Sequence, residues 1–76
     1  MQQPRENATH VNVIVNGEPR DVPPGLTVAE LLRQLGISPR GVAVEVNLRV
    51  IPRNQHEQYR LSEGDRLEIV TLVGGG

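Results

Sequence analysis

Valine occupies alternate positions where the patterned part of the chain begins: Val11, Val13 and Val15 are interleaved with Asn12, Ile14 and Asn16. A period of two marks a strand with one face against a core. Asn16-Gly17 follows, a pair that tolerates the positive φ of a tight hairpin turn. A return strand is therefore expected over residues 18–22, stopped by Pro23-Pro24-Gly25. The period then changes. Val28, Leu31, Leu32 and Leu35 fall on one helical face, while Glu30, Arg33 and Gln34 point elsewhere. Thr27 and Glu30 have the spacing of a capping box, and Gly36 sits where a left-handed stop belongs, with Ile37 able to fold back on the last turn.

Alternation resumes at Val42, Val44 and Val46 and ends at Asn47. A short turn at Leu48-Arg49 is expected to lead into Val50-Ile51, which Pro52 terminates or confines to an edge. Residues 53–59 are polar and irregular, with room for one helical turn. Ser62-Glu63-Gly64-Asp65 reads as a tight turn, and residues 66–73 as the last strand. Hairpin, helix, strand, short strand, strand: this order predicts a helix lying across one face of a mixed sheet, an α+β arrangement. Periodicity does not fix the order of the strands.

Alternation also assigns faces. Val11, Val13 and Val15 match Leu67, Ile69 and Thr71 as the set turned to the helix. Ile14, Val70 and Leu72 then fall on the uncovered face among Asn12, Asn16 and Glu68, and a contiguous exposed apolar patch of this kind suggests partner docking. A shift of one residue in register would exchange the two faces.

Composition narrows the classes of function. The chain has 76 residues, enough for one small domain that hides roughly 60% of its unfolded surface. It has no cysteine to form a disulfide, which fits a reducing cytoplasm. The formal net charge is -1, with no basic stripe, and Tyr59 is the one aromatic residue, so nucleic-acid binding is not expected. All eight cations are arginine, which excludes lysine Schiff bases and the phosphate-loop lysine. Residues 1–10 contain no apolar stretch of signal-peptide length, no later segment approaches the roughly 20 apolar residues of a membrane span, and the first ten residues are expected to form a disordered leader. Residues 11–73 would form the folded body.

Catalytic constellations are missing from the pattern. His56 and Glu57 are adjacent but lack further ligands for a metal. No Ser/His/Asp elbow, paired-carboxylate arrangement or phosphate loop can be drawn. His56 and Tyr59 are expected at the surface or in a satellite of the core, and Asp65 in service of its turn. What remains is the ending, Val73-Gly74-Gly75-Gly76. Three glycines without side chains reach about 10 Å when extended. They can thread a narrow channel and present the Gly76 carboxylate, with an unhindered carbonyl carbon, inside another protein's active site.

The segment Val46-Asn47-Leu48-Arg49-Val50-Ile51-Pro52-Arg53, the Glu63-Gly64-Asp65 turn and the glycine ending together resemble the ThiS family, sulfur carriers of thiamine thiazole synthesis. The resemblance runs from about Val11 to the end. It implies a ubiquitin-like β-grasp fold with the first and last strands paired in parallel at the centre. It also implies a carrier that is not an enzyme, binds no cofactor and is a monomer when free. An E1-like adenylating enzyme would use ATP to activate Gly76, and sulfur from the cysteine desulfurase pathway would convert it to a thiocarboxylate consumed by thiazole synthase. Gly75 and Gly76 correspond to the active tail. Asn47, Pro52 and Arg53 match the family pattern without an assigned chemistry. A carrier for molybdopterin synthesis, a protein-modifying ubiquitin relative and a noncovalent β-grasp interaction module remain as alternatives.

Overall fold

A computed structural model of the protein describes residues 10–72. The expected leader, apart from His10, and the end of the chain from Val73 to Gly76 lie outside the described residues. Two strands, β1 (Val11–Val15) and β2 (Glu18–Val22), form the first hairpin and lead to helix α1 (Val28–Leu35). Strands β3 (Val42–Val46), β4 (Arg49–Ile51) and β5 (Arg66–Thr71) follow, with short 3-10 turns at Pro39–Gly41 and Arg53–Gln55. The five strands lie in the order β2-β1-β5-β3-β4. β1 and β5 run parallel and the other pairs antiparallel.

The first hairpin turns as its residues require: Asn16 has φ 50° and Gly17 φ 86°. β2 is an exposed edge until Val22, and Pro19 within it suits an edge, where a missing N–H breaks no ladder. The second hairpin departs from expectation. Its turn is Asn47-Leu48, with φ 53° and 70°, and Arg49 already belongs to β4. The positive-φ pair thus falls one residue earlier than the sequence suggests, because Leu48 accepts a conformation that its branched side chain disfavours.

Helix α1 begins and ends on local signals. The Thr27 hydroxyl accepts the Glu30 N–H at 3.1 Å, and the Glu30 carboxylate accepts the Thr27 N–H at 2.9 Å. That Thr27 N–H, seconded by the hydroxyl and by Arg33 and Arg60, holds the Glu30 carboxyl below its ordinary range. Two more of the orphan donors at the start of the helix find distant carbonyls: Val28 N–H bonds Tyr59 and Ala29 N–H bonds His56. Gly36 closes the helix at φ 71°, and the Ile37 N–H returns to Leu32.

Val28, Leu31 and Leu32 of the helix pack with Val13, Val15, Val44, Val46 and Leu67 of the sheet into one core. Val22, Leu26, Ile51 and Leu61 complete it. His56 belongs to this interior as well. It is only 4% exposed, deeper than the surface or satellite position expected from its polar surroundings. Its Nε2–H donates to the Ile51 carbonyl at 3.0 Å, while Nδ1 meets no partner among the described residues. Tyr59 is half-buried against the same core.

Candidate functional site: the root of the tail and the open face of the sheet

The last strand, β5, is held from both sides of the sheet. On one side β3 pairs with it from Val42–Thr71 to Val46–Leu67. On the other side β1 pairs only at Ile14–Arg66 and Val15–Leu67, then turns away. The backbone N–H of Asn16 still reaches the Leu67 carbonyl at 2.9 Å. Its side chain then takes over the work of a strand. Asn16 Oδ1 accepts the Ile69 N–H at 2.8 Å, and Nδ2 donates to the Ile69 carbonyl at 3.4 Å. The carboxamide thereby supplies the donor and acceptor that a β1 residue would have offered.

Asn47 does the corresponding job at the start of β5. Its Oδ1 accepts the Arg66 N–H at 3.0 Å, its Nδ2 donates to Asp65 Oδ1 at 3.0 Å, and its own N–H bonds the Arg66 carbonyl at 2.8 Å. Asp65 also accepts the Ser62 N–H through Oδ2 at 2.8 Å, closing the turn before β5. Beyond Thr71 the Leu72 N–H donates to the Gly41 carbonyl at 2.9 Å. β5 is therefore held from its first residue to the last described one, four positions before Gly76. The expected tail residues Gly74, Gly75 and Gly76 lie outside the described residues.

The face of the sheet away from α1 has no cover among the described residues. The register places Ile14 beside Arg66, Val70 opposite Ala43, and Glu68 opposite Glu45, which in turn faces Val50. Ile14 is half-buried there, and Val70 is 45% exposed. Leu72, at 54%, lies past the end of β5 rather than within the strand. Thr71, expected to turn with Leu67 and Ile69 towards the helix, is exposed at the strand's end. Two further apolar side chains escaped sequence reasoning: Leu48 at 88% and Val50 at 64%. A shallow groove of about 210 Å³ runs between Ile14, Leu48, Arg66 and Glu68. Alternation alone shows Val50 on this face once Val44 and Val46 are inward, so a signal for it existed. The facing glutamates are a paired-carboxylate arrangement that the sequence did not reveal, because it depends on the β3–β5 register.

No group of three or more metal-ligating side chains occurs among the described residues. No helix of the described residues is long and apolar enough to cross a membrane.

A five-stranded mixed sheet with a central parallel pair and one helix across a single face defines a protein of the β-grasp class. The same architecture occurs in the crystal structure of the thiamine biosynthesis protein ThiS from Geobacter metallireducens, with a TM-score of 0.76 and 35% identity over 87% of this chain and 100% of that one. The chain belongs to the ThiS family, whose profile matches residues 13–76. It is 30% identical to the sulfur carrier protein ThiS of Escherichia coli, covering 87% of this chain and 100% of that protein. It is also 42% identical over 66 residues to a thiazole synthase of Paramagnetospirillum magneticum, where the match takes in 87% of this chain but 20% of the synthase. A thiazole synthase of Magnetococcus marinus matches at 39%, again over 20% of its length.

Proposed function

We propose that this protein is a cytoplasmic sulfur carrier for formation of the thiamine thiazole, working through the carboxylate of Gly76 as a co-substrate rather than a catalyst. A carboxylate is a poor electrophile. Activation would begin when a Gly76 oxygen attacks the α-phosphorus of ATP on an E1-like adenylating enzyme, expelling pyrophosphate and leaving an acyl-adenylate. A persulfide charged by the cysteine desulfurase pathway would then attack the carbonyl carbon and expel AMP. Cleavage of the resulting acyl disulfide by a thiol leaves the thiocarboxylate and a disulfide. The thiocarboxylate sulfur is the nucleophile that thiazole synthase would consume. ATP, the persulfide and the thiol all come from partners, since the chain has no cysteine.

The observation that carries this reading is the full-length match to the carrier of E. coli, combined with a last strand bonded on through Leu72. A rigid root sets where the glycine end can reach, and Ile14, Val70 and Leu72 would meet the partner that receives it. The occurrence of related sequences inside thiazole synthases supports that enzyme as the consumer.

Exchange of labelled pyrophosphate into ATP by the adenylating enzyme tests the assignment of Gly76. The intact chain should support exchange. Deleting Gly76, or adding one residue after it, should abolish exchange while the thermal unfolding curve stays unchanged. Exchange at the original rate in either variant refutes the assignment.

A further inference from the structure

Glu45 and Glu68 stand directly opposite each other on the open face of the sheet. Like charges at facing positions of an antiparallel pair destabilise it. Neither carboxylate is neutralised within the fold: the one ion pair among the described residues joins Arg33 to Glu57 on another surface. Arg66 shares the face but bonds neither. Val50 lies beyond Glu45 and Ala43 faces Val70 in the next row, while Ile14 stands beside Arg66 in the row on the other side.

We infer that Glu45 and Glu68 are a charge-selecting pair, matched to a basic side chain ringed by apolar ones on the adenylating enzyme. This rests on the carrier reading above. Charge complementarity commits the face to that occupant. An enzyme that binds ATP and an incoming carboxylate must itself carry positive charge around its cleft, and its field draws in a carrier whose docking face and tail are both anionic. The apolar neighbours exclude water when the face is covered, which strengthens the attraction between the glutamates and the partner's cation. Docking would also relieve the repulsion between the two carboxylates, so the free protein holds a strain that binding removes.

The double variant Glu45→Gln, Glu68→Gln tests the inference by pyrophosphate exchange, with the carrier concentration varied at low salt and at roughly 0.5 M salt. At low salt, KM for the carrier should rise about tenfold with kcat unchanged, and the gap should narrow at high salt. The melting temperature should stay the same or rise. Glu68→Gln alone serves if the double variant does not fold, and should show a smaller change of the same sign. The control Glu18→Gln, Glu57→Gln removes the same charge from other surfaces and should leave KM within about twofold. An unchanged KM in the Glu45, Glu68 variant, or an equal rise in the control, overturns the inference and leaves the carrier reading intact. No exchange with the original protein overturns both.

Discussion

At the scale of single residues, the two hairpin turns of this protein make a built-in comparison. Both begin with asparagine in the left-handed region, and both asparagine side chains bond β5. They differ at the next position, where one turn has Gly17 and the other Leu48. A left-handed leucine is disfavoured by about 1–2 kcal/mol. Leu48 recovers little of that through packing, since its side chain is 88% exposed. Leu48→Gly should therefore stabilise the domain by about 0.5–1 kcal/mol in urea unfolding, after allowing for glycine's greater freedom in the unfolded chain. Gly17→Leu should destabilise it by about 1–2 kcal/mol, because no atom crowds that position and only the backbone conformation counts. Stabilities unmoved by both changes would remove the claim of strain at Leu48.

Among the elements, α1 is the most self-sufficient in its signals. Its capping box, apolar face and glycine stop all lie within a span of about ten residues, which is why they could be read without a structure. Thr27→Ala should cost about 1 kcal/mol, seen as a lower urea midpoint with unchanged slope. The Glu30 carboxyl adds a pH dependence of known sign. Its pKa is lowered in the fold, chiefly by the Thr27 N–H, so its contribution is present above the ordinary glutamate range and fades as pH falls through the lowered value. Glu30→Gln keeps an acceptor for Thr27 but cannot titrate. Acid titration of stability below about pH 4 should therefore be shallower in this variant than in the original protein. Equal slopes would mean that the Glu30 carboxylate is not bonded as described.

For the molecule as a whole, what the sequence made legible was local. The β1–β2 turn, the helix with both caps, the inward valines and the turn at Asp65 follow from spacing and turn chemistry. The strand order was available only through family resemblance, since alternation says nothing about which strands are neighbours. Features hidden from sequence reasoning all join distant residues. Asn16 was legible as a turn former, but its bonds to Ile69 span 53 positions. Asn47 reaches Asp65 across 18. The facing of Glu45 and Glu68 needs the β3–β5 register. These long-range contacts fix β5, and β5 fixes the root of the tail.

In the proposed function the body of the protein serves to present an activatable C-terminus. The most direct test is the intact mass of the protein after incubation with its adenylating enzyme, ATP and a charged persulfide donor, followed by a thiol. Replacement of one oxygen by sulfur, localised to Gly76 by fragmentation, is the expected result. An unchanged mass under conditions where the enzyme is active, or attachment of the chain to a lysine of another protein, would contradict it.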